Sequence, residues 1–278
     1  MKKKTFVPRT GNIWLLNFIV MMSCSTAFAL DPIGPPAAGL RQGQLKNGIE
    51  YSHSTMDVKL LEGDWIEYFD GVFNDSGRAT PFTLKDFKTD KIYFNLGYGF
   101  TDNLDAFLRL GVTTADFGDS IWQDTEKFDG DADLTIGAGI KATFYADDKL
   151  KIGGLLQASW AEYDGELNAS HWSTPDTVEI NMAQVQIAVG PTYELNDNVS
   201  IYGGPFWHYT FGNLDVEVNE EIGGGILNSN FSWDIDDSST FGAFVGTRIE
   251  INENTSFNIE YQHTADSDAF VAGLVWRF

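Results

Sequence analysis

Cysteine is almost missing: Cys24 is the only one in 278 residues, so no intrachain disulfide can staple the fold. Basic residues are scarce. Eighteen Lys and Arg face forty Asp and Glu, for a net charge of −22, and no Lys or Arg occurs between Lys151 and Arg248. A surface of that sign repels nucleic acid and attracts cations. Long apolar runs are absent beyond residue 22, which excludes a membrane-spanning helix there. It does not exclude spanning strands, whose alternation dilutes the hydropathy signal. No nucleotide-binding glycine motif and no zinc-ligand spacing is present, and no cofactor is expected.

What is there begins at the N-terminus. Lys2, Lys3 and Lys4 precede an apolar stretch from Ile13 to Met22 that contains Asn17, and Ala27-Phe28-Ala29 follows as an A-x-A site. This is the layout of a secretory signal peptide over residues 1–29, which makes Leu30 the first mature residue. Lipid attachment at Cys24 is the rival reading, and Met21-Met22-Ser23 is a poor match to a lipobox. The leader holds Lys2, Lys3, Lys4 and Arg9 and no acid, leaving −26 on the remainder. Residues 30–43 contain Pro32, Pro35 and Pro36 with three glycines, and read as an extended periplasmic lead-in to a domain over residues 44–278.

From there the chain alternates with period two, the signature of strands with unlike faces. Ile92, Phe94, Leu96, Tyr98 and Phe100 share one face, opposite Tyr93, Asn95, Gly97 and Gly99. Leu104, Ala106, Leu108, Leu110 and Val112 repeat the pattern, as do Leu134, Ile136, Ala138, Ile140, Ala142 and Phe144. Further segments follow at 150–161, 185–195, 199–211, 241–251 and 257–261. Two breaks in parity are expected to mark β-bulges. Val178, Ile180 and Met182 are out of phase with Val185 onward, and Ile49 and Tyr51 with Met56, Val58 and Leu60.

Connections alternate short and long. Thr101-Asp102-Asn103, Asp147-Asp148-Lys149, Asn196-Asp197-Asn198 and Asn252-Glu253-Asn254 are tight polar turns. Stretches near 61–90, 116–130, 164–177 and 213–238 read as long loops. Counting gives ten strands, and a hairpin of Trp65, Tyr68, Phe69 and Phe73 would make twelve. The apolar faces are predicted to look out at lipid. Tyr98, Phe100, Phe144, Tyr193 and Trp276 lie near short turns, and Trp160, Trp207 and Tyr209 near long loops, as two aromatic girdles would.

Phe270, Ala272, Leu274, Trp276 and Phe278 occupy alternate positions back from the last residue. This resembles the C-terminal recognition signal of bacterial outer-membrane β-barrels. The resemblance implies an all-β fold, a closed antiparallel transmembrane barrel. It also implies residence among membrane lipids and lipopolysaccharide, and recognition by the barrel-assembly machinery through Phe270, Leu274, Trp276 and Phe278.

The inward face should then carry Asp105, Arg109, Lys141, Lys151, Arg248, Glu250, Glu260 and Arg277. Paired with one another they would fill a narrow lumen, since buried charges need partners. That points to a structural or surface-interacting barrel. A small-solute or ion channel is the alternative, with Gly97, Gly99, Gly137, Gly139, Gly242 and Gly246 leaving room. Acids such as Asp116, Asp119, Asp124, Glu126, Asp129, Asp215, Glu217, Glu220, Glu221, Asp234, Asp236 and Asp237 read as solvated charge on an exposed rim, with divalent cations bound there as the alternative. Asp129-Gly130-Asp131-Ala132-Asp133 lacks the glycine and glutamate of an EF-hand loop. His171-Trp172-Ser173 resembles the His-x-Ser pair of barrel lipid hydrolases, with Glu179 or Asn181 as a third group. Pro175 argues against a strand there, and no enzyme is expected. His208 points inward with no neighbouring Asp–His pair of the kind omptin proteases carry.

Overall fold

A computed structural model describes residues 30–118, 127–168 and 176–278. Thirteen strands and no helix occur among them. They are β1 (Leu45–Leu60), β2 (Gly63–Phe69), β3 (Val72–Ala79), β4 (Phe82–Thr101), β5 (Leu104–Phe117), β6 (Lys127–Gly130), β7 (Asp133–Ala146), β8 (Leu150–Asn168), β9 (Asp176–Asn196), β10 (Val199–Ile222), β11 (Gly225–Asn252), β12 (Thr255–Thr264) and β13 (Ser267–Arg277).

Ten strands make a ring. β1 pairs β4, then β5, β7, β8, β9, β10, β11, β12 and β13 follow in turn, every pair antiparallel. β13 returns to β1 with Ile49 opposite Leu274 and Lys46 opposite Arg277. Phe278 and Leu45 exchange backbone hydrogen bonds at the end of that seam. The expected count of ten therefore holds. The Trp65–Phe73 segment does form a hairpin, β2–β3, but it stands outside the ring and adds to β11.

The short turns form as their residues dictate. The side-chain oxygens of Thr101, Asn196 and Asn252 accept the N–H two residues on, at 3.2, 3.0 and 3.0 Å. Toward this end of the ring the apolar residues face outward. Leu108, Leu110, Ile92 and Phe94 are all more than half exposed, while Tyr93, Asn95, Arg109 and Gln157 are buried inside.

At the other end the arrangement inverts. Met56, Val58, Phe87, Phe117, Phe128, Tyr163, Val178, Ile180, Leu214, Val216, Trp233 and Ile235 turn inward and form one buried apolar core. The Phe117 and Phe128 rings stack at 4.7 Å, and Phe87 meets Tyr163 edge-on at 5.5 Å. Two expectations are corrected here. The stretch 213–238 is not a loop but the continuation of β10 and β11, paired down to Ile222 opposite Gly225. Nor does β9 bulge between Met182 and Val185: its register to β8 and β10 is unbroken there. The side chains keep one parity, and it is the apolar residues that change face. Near Met56 a bulge does occur, but on β4: Met56 opposes Phe87 and Val58 opposes Leu84, with Asp86 at φ 53°.

Candidate functional site: a filled lumen under an apolar cap

The interior of the ring is occupied by residues 30–40. The segment expected outside as a lead-in runs within the lumen, with Leu30, Ile33, Ala37, Ala38 and Leu40 buried. Prolines without N–H groups and glycines without side chains let it thread there, and wall side chains satisfy its backbone. Ser52 donates to the Leu30 carbonyl at 2.9 Å and Gln262 to that of Asp31 at 2.8 Å. Arg109 donates to Pro32 O at 2.8 Å, and Lys141 to Ile33 O and Pro35 O at 2.6 and 2.8 Å. Glu260 accepts the N–H groups of Ile33 and Gly34 at 2.9 and 2.8 Å, and Asp105 that of Gly39 at 2.8 Å. The segment's own carboxylate, Asp31, takes Lys91 at 3.0 Å and the Tyr93 hydroxyl at 2.9 Å.

Arg109 is the centre of this network. Its guanidinium reaches Asn95 at 2.8 Å, Gln157 at 2.9 Å and Glu50 at 3.2 Å, and lies 4.6 Å over the Phe107 ring. Lower down, Glu250 holds both Arg248, at 2.7 Å, and Arg277. Lys151 sits at the short-turn rim, 3.8 Å from Glu194 and half exposed. Of the pairs expected among the named charges, Arg248–Glu250 and Arg277–Glu250 form. Asp105 and Glu260 bind backbone N–H groups of the threaded segment, and Arg109 and Arg248 pair with Glu50 and Glu250, so part of the charge filling the lumen holds a segment that sequence reading had left outside.

Four of the lumen glycines make room for neighbouring side chains. A Cβ at Gly139 would strike the Phe107 ring, one at Gly246 the Tyr202 ring, one at Gly242 the Phe206 ring and one at Gly97 the Lys46 side chain. Each is a socket for a neighbour's bulk. A cavity of about 60 Å³ remains beside Lys46, Glu50, Asn95, Arg109, Arg248 and Asn258. That is room for a few waters.

Above the segment lies a belt of small polar side chains, with Ser54, Thr89, Thr113, Thr135, Thr240 and Thr264 all buried. His208 belongs to it. It points inward as expected, but neither ring nitrogen has a hydrogen-bond partner among the described residues. The apolar core closes the ring above this belt.

A ring whose outward band is apolar and whose interior is polar is built for lipid rather than water. The family model for the outer membrane protein beta-barrel domain matches residues 145–278. Residues 145–278, more than half of the ring, are therefore an outer-membrane β-barrel domain. Solved structures resemble it over most of their length. The translocator domain of the autotransporter NalP from Neisseria meningitidis is 11% identical, covering 87% of this chain and 90% of its own, at a TM-score of 0.43. The outer membrane protease OmpT from Escherichia coli is 10% identical, covering 84% and 97%, at 0.45. The outer membrane protein OprG from Pseudomonas aeruginosa is 11% identical, covering 86% and 98%, at 0.42. No curated protein matches the sequence.

Taking the short turns as periplasmic, the rule for such barrels, the long hairpins of this outer-membrane barrel project outward from the cell. Their outer surface is acidic. Glu162, Asp164 and Glu179 bring carboxylate oxygens within 4.8 Å of one another. Burial, and then the charges of Asp133, Glu162, Glu179 and Asp131, push the Asp164 carboxyl above its ordinary value. Asp116 pairs with Lys88 at 3.4 Å. Asp119, Asp124 and Glu126 lie outside the described residues, as do His171 and Ser173 of the hydrolase-like pair. Glu179 accepts from Asn181 at 2.7 Å.

Two Asp–His pairs escaped sequence reading because their partners come from different strands. His53 meets Asp90 at 2.8 Å, and His263 meets Asp268; a tyrosine, Tyr51 or Tyr261, shares each carboxylate. The repeated spacing Tyr-x-His in β1 and β12 was the available signal. Both pairs lie on the outward face, away from the lumen.

Proposed function

We propose that this barrel does not conduct, and that its working part is the outward extension, which serves surface interaction. One observation carries the reading: the lumen is filled by residues 30–40 and closed again above by an apolar core. A solute would have to displace a segment held by Arg109, Lys141, Asp105 and Glu260, then cross a dry plug of aromatic rings. The strands also extend far beyond what a bilayer needs. A spanning strand takes roughly 9–11 residues, whereas β10 has 24 and β11 has 28. Extra strand length on an acidic, exposed surface is the investment of a protein that meets partners outside the membrane. Cleavage after Ala29 belongs to the same proposal. So do lipopolysaccharide around the band and divalent cations against the acidic outer surface.

Planar-bilayer recording of the purified full-length protein tests this. The expected result is no discrete opening at any holding voltage. Stepwise conductance from the wild-type protein would overturn the closed-lumen reading and favour the small-solute channel.

A further inference from the structure

We infer that the free edge of β3 takes up an extended, basic segment of another protein by strand addition, an inference that rests on the surface-interaction reading above. The sheet ends at β3: its one strand neighbour among the described residues is β2. An open edge presents unpaired N–H and C=O groups, a template for one more strand. On this strand the Ser76 N–H donates to the Asp75 carboxylate at 2.8 Å.

The tip beside this edge is apolar and bare. Val72 and Phe73 are 70% and 58% exposed, and Ile222 and Ile226 on the adjoining β10–β11 turn are 46% and 57% exposed. The two turns are fixed to each other, Asp70 N–H to Ile226 O and Ile226 N–H to Asp70 Oδ1, both at 2.9 Å. These residues stand at the far end of the extension, beside the β2–β3 and β10–β11 turns. Exposed apolar side chains gathered on a rigid tip mark an interaction surface.

Charge selects the occupant. Glu67, Asp70, Asp75, Glu220 and Glu221 surround the tip, and Arg78 on β3 is already 3.5 Å from Asp64. A second copy of this chain, with its own net charge of −22, is repelled. A segment alternating apolar residues with Lys or Arg satisfies the edge, the tip and the charge together.

The test uses the full-length protein in nanodiscs of zwitterionic lipid and three carbonyl-labelled peptides: alternating Val and Lys, the same with Pro at every second Val, and alternating Val and Glu. The first is expected to bind, with an isotope-shifted inter-strand infrared band, and the other two at least about tenfold more weakly. Ser76→Pro removes a β3 N–H, so it should weaken binding by about tenfold or more, with the melting temperature measured beside it to show that the variant is folded. Should that variant fold poorly, Val72→Ser with Phe73→Ser gives a second reading, with a several-fold loss expected. Equal binding of the proline peptide, equal binding by a folded Ser76→Pro, or attachment of the tip to lipid vesicles in place of peptide would overturn the inference. None of these outcomes depends on conductance, so failure here is separable from failure of the closed-lumen reading.

Discussion

At the residue scale, a carboxylate among carboxylates is costly. Asp164 has its carboxyl raised by burial and by four acidic neighbours. The folded state therefore holds the proton more tightly than the unfolded chain does. The penalty is fully present above the raised value and fades as pH falls through it toward the ordinary Asp value of about 3.9. Asp164→Asn is expected to raise the melting temperature at pH 7, with the gain disappearing in acid below that ordinary value. A pH series of thermal melts checks this; a loss at pH 7, or the same gain at both ends, would count against it. The backbone N–H of Asp164, which donates to Asp133 at 2.8 Å, is untouched by the change.

At the element scale, the threaded segment and the strand extensions set the character of the barrel. Arg109 is one of the segment's anchors; its side chain is 5% exposed and its ionic partner Glu50 is 13% exposed. Arg109→Ala leaves that carboxylate buried without its partner and leaves the Pro32 carbonyl to Gln157 alone, at 3.2 Å. Such losses cost about 3–5 kcal/mol, readable as a lowered urea midpoint in micelles; an unchanged midpoint would show that the segment is not held there.

Most of the ring was legible in the residues themselves. Ile92–Phe100, Leu104–Val112 and Leu134–Phe144 alternate cleanly because lipid lies on one side and water or polar groups on the other, and their Asx turns announce themselves. Two features were not legible. Leu214, Val216, Phe231, Trp233 and Ile235 also alternate, but in a stretch rich in Asp, Asn, Ser and Glu, residues depleted in strands, so it read as loop. Once outside the membrane the solvent changes side, and with it the face that must be apolar. Val178, Ile180 and Met182 record that switch, not a bulge. The proline-rich 30–43 segment carried no mark of its destination either, since what holds it are side chains on walls up to 231 residues away, such as Gln262 to Asp31. Of the charged residues named from sequence, Asp105, Arg109, Lys141 and Glu260 bind the threaded segment, whose position the pattern did not disclose, whereas Arg248 and Arg277 meet Glu250 on the wall.

At the scale of the whole molecule, one barrel has two solvents. Near the periplasm it is apolar outside and polar inside; beyond the membrane it is polar outside and apolar inside, with the polar belt between. From Thr177 to Thr192 β9 crosses both regimes in unbroken register, so a single strand reports the inversion. Nitroxide side chains placed singly along Asp176–Asn196, in liposomes, measure it through collisions with lipid-soluble oxygen and with a water-soluble nickel reagent. The account predicts oxygen contact at residues 187 and 189, nickel contact at 177 and 179, and protection from both at 180, 182 and 186. Free nickel access at 180 or 182 would mean an open, wet outer mouth and would contradict the account.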